Sequence, residues 1–476
     1  MRRELVIIGA GPAGMSAAIA AVRAGCAVTV VDENPQAGGQ IYRQPPGALK
    51  MDKADGDGPE HQRGRALLEQ FHGLGSRLAF LSESTVWGIF EGHRVAVSRG
   101  AGWRMIEADN LILSPGAHEY VPPFPGWTLP GVMTPGAAQT MVKAMGVLPG
   151  RRILLAGTGP FLLVVAAALH RVGARIVGVV EAATTFTVLA ALPGLLAQPG
   201  MLIQGWRYLR QLRRAGIPMH RGHIVIEARG DEQVRSALIA PCDRNWFPDR
   251  TRARAIETDT LCVGYGFIPR VQLLQLAGCR LRFTDELGGW VPQLDENLQS
   301  SVPGIWVAGD GGGVAGAVVA ELEGTLAGLA AAFRIGRLTA RASQTRSRPL
   351  KRRLASLRRF RAALDGICRI RPGLSSLATP TTLMCRCEEL TRDAVDVGIA
   401  AGGTDIRTLK VMTRLGMGPC QGRMCWPATA RHIARRTTRT MQQVGPLSVR
   451  PPITPVTLGA LAAQPETGPV ACVSNC

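Results

Sequence analysis

A chain of 476 residues with 57 glycines and 46% hydrophobic residues is too long for one core, so two to four globular units are expected. The formal charge of +20 comes almost wholly from arginine, because all but five of the 55 basic residues are Arg; their scatter reads as compositional bias, and nucleic acid is not an expected partner. No cleavage signal follows Met1-Arg2-Arg3-Glu4, and the apolar runs 161–169 and 187–196 are too short or too interrupted to cross about 30 Å of hydrocarbon, so a cytoplasmic protein is expected.

Residues 4–8 form a short apolar strand that runs into Gly9-Ala10-Gly11-Pro12-Ala13-Gly14 and an Ala-rich helical segment. Gly9 permits the turn, Gly11 admits a pyrophosphate, and Gly14 lets helix and strand pack closely, with the helix N-terminus facing the phosphate charge. A second strand, 27–31, ends in Asp32, where a carboxylate accepts from the adenosine ribose and repels a 2′-phosphate. In this order the chain resembles the two-dinucleotide-binding-domain flavoproteins. That resemblance implies FAD, with Gly38, Gly39 and Gln40 beside the flavin and Gly116 in an LILSPGA motif that has Ser-Pro in place of Ala-Thr. It further implies that Gly309 and Asp310 of IWVAGDG meet the ribityl chain.

Residues 152–155 and Gly157-Thr158-Gly159-Pro160-Phe161-Leu162 repeat the strand and turn, and a strand at 175–180 leads to Glu181. Leu162 replaces the third glycine. The site formed by Gly157, Gly159 and Glu181 is open between NAD(P), another adenine nucleotide and a vestige. The expected architecture is α/β, with nested Rossmann-like domains followed by a small, mainly helical four-cysteine domain. The expected units are FAD segments 1–148 and 257–335, an inserted NAD(P)-like domain 149–256, a linker 336–380, a cluster domain 381–440 and a tail 441–476. The strand at 258–263 is expected to close the FAD domain.

The linker crowds Arg346, Arg348, Lys351, Arg352, Arg353, Arg358, Arg359 and Arg361 around leucines spaced three or four apart. This is an amphipathic helix, expected as a solvated connector; the alternatives are peripheral contact with an anionic inner membrane face or with an acidic partner chain.

Cys385-x-Cys387 and, after 32 intervening residues, Cys420-x4-Cys425 offer four thiolates for one soft metal centre. Zinc is the lesser reading, since structural zinc more often uses CxxC-type pairs. Cys26, Cys242, Cys262, Cys279 and Cys368 read as small buried hydrophobes, His220 and His223 as structural, and Cys472 and Cys476 as part of a disordered tail. No CxxC occurs, so a disulfide reductase of the thioredoxin-reductase kind lacks its reactive pair.

The cysteine segment resembles the bacterioferritin-associated-ferredoxin-like domain, which implies a [2Fe-2S] cluster on these four residues; the Cx4C pair is wider than that pattern. GMGPCQGRMC, CRCEE and PPITPVTLGAL resemble more closely the large FAD subunits of opine oxidases, of D-hydroxyproline and dye-linked proline dehydrogenases, and of hydrogen cyanide synthase. The resemblance implies the alpha subunit of a heteromeric dehydrogenase, whose partners would be an amine-oxidase-like, FAD-containing beta subunit with its own active site and a downstream electron acceptor. The alternatives are a stand-alone NAD(P)H-dependent flavin/iron-sulfur reductase and a non-catalytic nucleotide-binding subunit of an assembly. No general acid or base is assigned.

Overall fold

A computed structural model describes residues 2–44 and 59–466; the expected disorder around Cys472 and Cys476 lies outside them. The chain opens with β1 (Leu5–Ile8), α1 (Pro12–Arg23), β2 (Val28–Val31), β3 (Leu78–Leu81) and β4 (Leu111–Leu113). A short β5 (Ala117–Glu119) leads to α2 (Pro135–Met145), β6 (Arg152–Gly157), α3 (Pro160–Arg171) and β7 (Arg175–Glu181). Helices α4 (Thr185–Leu195) and α5 (Pro199–Arg214), then β8 (Met219–Arg221) and β9 (Thr260–Gly264), complete that unit. The chain returns through β10 (Ile305–Val307) to α6 (Ala317–Arg334).

The first sheet has the parallel order β10-β4-β1-β2-β3. Every residue of β1, β2, β4 and β10 is buried, as befits strands covered on both faces, and only Thr29 and Trp306 interrupt their Val/Ile/Leu runs. Helices α1 and α6 cross on one face, and they touch because the contact is built from small residues: a Cβ at Gly324 would lie 2.0 Å from the Ala13 carbonyl oxygen.

The second sheet is also parallel and runs from the short strand Val132–Met133 through β9, β6 and β7 to β8. This corrects the sequence expectation. Strand β9 does not close the FAD unit; it pairs with β6 from Ile153↔Thr260 to Gly157↔Gly264 and lies inside the inserted sheet. The two units share the same strand-turn-helix vocabulary, and only the pairing partner reveals to which sheet a lone apolar strand belongs. An antiparallel layer, His223–Arg229, Ser236–Pro241 and Arg254–Glu257, packs on the inserted sheet.

The arginine-rich segment is one helix, α7 (Ala340–Cys368), capped by the Thr339 side chain accepting from the Ala342 amide. Its apolar face is not solvated: Leu354 and Leu357 join the core of the FAD unit, while Phe360 and Ile367 pack with Leu195 of α4. The expected solvated connector is therefore a packed helix that turns its arginines towards water, and its apolar stripe is unavailable to a bilayer.

The C-terminal unit comprises β11 (Leu383–Cys385), α8 (Arg392–Ala400), α9 (Ile406–Thr413) and α10 (Trp426–Thr437), with Val395, Leu409 and Ile433 in its core. It is tied to the rest of the chain by the Trp127 indole donating to the Leu383 carbonyl at 2.8 Å and by the Arg431–Asp285 pair at 2.7 Å.

Leu357→Ala leaves a cavity under α7 and should destabilise the apo chain by about 2–5 kcal/mol, whereas Arg359→Ala, on the exposed side, should stay within about 0.5 kcal/mol. Equilibrium urea unfolding of the two variants checks this; equal, small effects would mean that α7 is a free connector after all.

Candidate functional site

The turn between β1 and α1 is held from three sides. Asp32, at the end of β2, accepts the Ala10 amide at 2.6 Å through one oxygen and the Asn34 amide and side chain at 2.8 Å through the other. Ser114, just after β4, donates its hydroxyl to the Ile8 and Gly9 carbonyls at 2.9 Å. Gly14 lies so close below the turn that a Cβ there would sit 1.7 Å from the Gly9 oxygen.

A cavity of about 1670 Å³ opens above this turn. Of the twelve residues expected to hold FAD, all except Gly14 and Gly38 line it. Those two are packed behind: the Gly38 amide donates to the Ala10 carbonyl at 2.9 Å, fixing the 38–40 loop to the dinucleotide turn. Gly11 and Gly39 face each other across the floor, where a Cβ on Gly11 would come 3.8 Å from the Gly39 Cα. That bare backbone cradle at a helix N-terminus fits a pyrophosphate. Asp310 accepts the Ala315 and Gly316 amides at 2.9 and 3.1 Å through Oδ1, which fixes the carboxylate at the start of α6.

Sequence reading missed the groups that brace the walls of this cradle. Glu321 on α6 accepts from the Tyr42 hydroxyl at 2.7 Å and pairs with Arg63 at 2.7 Å. Glu119 on β5 accepts the Gly136 amide at 2.9 Å while its other oxygen is buried with no partner; burial pushes its carboxyl up to about 7. Both ring nitrogens of its neighbour His118 are buried and unpaired, and burial beside Arg270 lowers it to about 4. Neither residue sits in a glycine motif, so only their place soon after Gly116 pointed towards the cavity.

The second turn repeats the first. Glu181 at the end of β7 accepts the Gly159 amide at 3.1 Å and the Ala183 amide at 3.0 Å, as Asp32 does in the first unit. Gly157 packs on β9, where a Cβ would meet the Gly264 oxygen at 1.7 Å. Leu162 is buried in the core beneath α3, filling the volume that a third glycine would leave open. Gly159 and Glu181 line the same cavity, but the end of α7 crowds this loop: a Cβ on Gly159 would be 2.8 Å from the Cys368 sulfur.

The four candidate cysteines come together from two loops. Cys385 lies beside Cys425 and Cys387 beside Cys420, and the Cys425 thiol donates to the Gly422 carbonyl at 3.8 Å. The neighbouring Cys425, with the Gly416, Glu388 and Cys387 amides, pulls the Cys385 thiol down to about 6. In kind, four neighbouring sulfurs, with backbone N–H donors at Cys385 and Cys387, fit a thiolate-bound centre. In arrangement the sulfurs stand as two pairs, and among the described residues no group of three or more His, Cys, Asp or Glu is arranged to hold a metal ion. Cys420 lines the large cavity. The isolated Cys26, Cys262 and Cys279 are buried, and burial raises all three thiols. His220 bonds Arg254 at 2.7 Å and His223 the Arg221 carbonyl at 2.9 Å.

Burial pushes Glu181 up to about 7 from an ordinary value of 4.5. The folded chain therefore binds the extra proton between those values, and stability falls as pH rises through them. Glu181→Gln, which removes the charge, should raise Tm relative to wild type at pH 8 more than at pH 5, as differential scanning fluorimetry of the apo chain reads directly; an equal shift at both would exclude this linkage. Ser114→Ala deletes both donations to the first turn and should weaken FAD binding by about fivefold, measured by flavin fluorescence on dilution.

The family model described as pyridine nucleotide-disulphide oxidoreductase matches residues 3–324, and that of the sarcosine oxidase A3 domain matches residues 380–465; the first implies FAD as cofactor. The opine oxidase A subunit of Rhizobium meliloti is 37% identical over 98% of this chain and 88% of its own length. Hydrogen cyanide synthase subunit HcnB of Pseudomonas protegens is 34% identical over 96% of both. The crystal structure of L-proline dehydrogenase from P. horikoshii superposes with a TM-score of 0.69 at 22% identity, covering 97% of this chain and 80% of that one, a likeness of fold. The protein belongs to the pyridine nucleotide-disulphide oxidoreductase family of flavoproteins, among the opine oxidase A and hydrogen cyanide synthase B subunits.

Proposed function

We propose that this chain is the electron-transferring alpha subunit of a heteromeric dehydrogenase that oxidises an amino acid or secondary amine of the opine, D-hydroxyproline/proline or glycine type. The observation that carries the reading is one continuous cavity lined by Gly11, Gly39 and Asp310 of the FAD unit and by Cys420 of the cysteine unit. The amine loses two electrons and two protons to become an imine on an amine-oxidase-like, FAD-containing beta subunit. The electrons leave through this chain to an acceptor other than oxygen.

FAD and a [2Fe-2S] cluster would together supply conversion of an electron pair into single electrons. The chain's own residues bind and orient. The turn Gly9, Gly11, Pro12, Ala13 and Gly14 delivers the free N–H groups of the first turn of α1 and the helix dipole to the pyrophosphate, with Pro12, which has no N–H of its own, opening the helix; Asp32 serves the adenosine ribose and Asp310 the ribityl chain. Gly39 and Gln40, held in place by Gly38, border the flavin together with Gly116, and Gly309 stands beside Asp310. Cys385, Cys387, Cys420 and Cys425 would hold the cluster. Glu181, with Gly157 and Gly159, forms the second site, open between NAD(P), another adenine nucleotide and a vestige. The domain limits proposed are those from the sequence, with the 257 boundary moved beyond β9 because that strand pairs inside the inserted sheet.

The repeat of the Asp32 contacts by Glu181 favours one other reading, a stand-alone NAD(P)H-dependent reductase. Rapid mixing with NADH separates the two: fast flavin bleaching supports the reductase, and none supports the relay. In the complex purified with its partner subunits, Cys387→Ser and Cys420→Ser should keep FAD, lose iron and cut amine-dependent dye reduction by about tenfold or more. Full turnover without iron, or wild-type protein carrying zinc instead, would falsify the relay.

A further inference from the structure

From Ala182 to Trp206 not one residue is charged, yet this stretch forms the surface hairpin of α4 and α5 rather than core. Phe186, Leu189, Leu192 and Leu196 follow one another three or four residues apart, and Ile203 and Trp206 continue the strip on α5; each is between 42% and 61% exposed. The inward faces are already occupied: Leu195 packs with Phe360 and Ile367 of α7, and Leu212 packs with the core beneath α3. The outward strip is thus a surplus of apolar surface of a size that soluble surfaces seldom carry without a use.

What surrounds the strip points to its occupant. Immediately after Trp206 come Arg207, Arg210, Arg213 and Arg214, all exposed, and the Arg210 guanidinium sits 5.2 Å from the Trp206 ring. At the other end, the Arg244 guanidinium lies 4.3 Å from the Phe186 ring. Helix α7 adds exposed Arg352 and Arg359 on either side of Ser356, whose hydroxyl accepts from Gln198 in the hairpin turn at 3.2 Å. An exposed apolar strip bounded at each end by an aromatic ring with a guanidinium against it, and by further arginines, has the makeup of a surface that seats in the interface of an anionic bilayer. No helix of the described residues is long and apolar enough to cross a membrane, so the element lies in one leaflet.

We propose that the α4–α5 hairpin is a membrane-docking element that seats its apolar strip in the interface of an anionic bilayer, with the arginines of α5 and α7 on the headgroups. The basic helix α7 takes part through its charge alone, since its apolar face is committed to the core. The inference is independent of the electron-transfer reading.

Flotation of the complex, purified with its partner subunits, through a density gradient with vesicles tests it. Wild type should float at low salt with phosphatidylcholine vesicles containing phosphatidylglycerol and remain below with phosphatidylcholine alone, and added salt should release it. Leu189→Ser with Ile203→Ser, and separately Arg207→Glu with Arg210→Glu, should each reduce vesicle partitioning by about tenfold or more with the flavin spectrum unchanged. Val411→Ser, at an exposed apolar position in the cysteine unit, should change nothing. Wild type left at the bottom with anionic vesicles overturns the proposal. So does flotation of the Leu189/Ile203 variant equal to wild type, or loss of a partner subunit from that variant in place of loss of vesicles, which would make the strip a protein interface.

Discussion

The first unit depends on how closely three backbones approach at one turn. Gly14 touches the Gly9 carbonyl, and the Ser114 hydroxyl bonds the carbonyls of Ile8 and Gly9. No side chain fits between them, so the N-terminus of α1 is delivered to the cavity floor with its free N–H groups pointing at whatever anion binds there. The carboxylate of Asp32 then fixes the loop from the far side. Helix α6 can lie against α1 only because Gly324 meets the Ala13 carbonyl without a Cβ, which brings Asp310 at its start to the same floor, while the Gly38 amide bond to Ala10 brings the 38–40 loop there. A single steric constraint thus orders residues that lie far apart along the chain.

The inserted unit shows what relaxing that constraint does. Leu162 replaces the third glycine and is absorbed into the core under α3, while Gly157 keeps its close approach to the end of β9, as Gly9 keeps its own to the Ser114 carbonyl. The acid survives: Glu181 keeps two amide contacts. Its raised pKa comes from burial, which outweighs those amides and the attraction of Arg221, in contrast to a surface pair that would be worth little. The close approach of Cys368 to the Gly159 loop couples this second site to α7, and hence to the FAD unit on which α7 lies.

Much of this was legible in the residues, for physical reasons. A turn that needs bare backbone has to be written with glycine, so Gly9, Gly11, Gly14, Gly39 and Gly309 announced themselves, and Asp32 and Glu181 followed from the strand ends. Four cysteines in two close pairs were equally visible. Sheet membership was not: β9 reads as a buried strand in either unit, and its pairing with β6 is a non-local fact. The fate of the amphipathic helix was hidden for the same reason, because a stripe of leucines looks alike whether it meets α6, a membrane or a partner. Glu321, Glu119 and His118 carry no motif, since what makes them notable is the company the fold gives them.

Anaerobic titration of the purified complex with its amine substrate, followed by optical absorbance and low-temperature EPR on the same samples, tests the central claim most directly. Flavin absorbance should bleach, and the signal of a reduced iron–sulfur centre should rise with it. Bleaching with no such signal at any point of the titration would contradict a relay through Cys385, Cys387, Cys420 and Cys425.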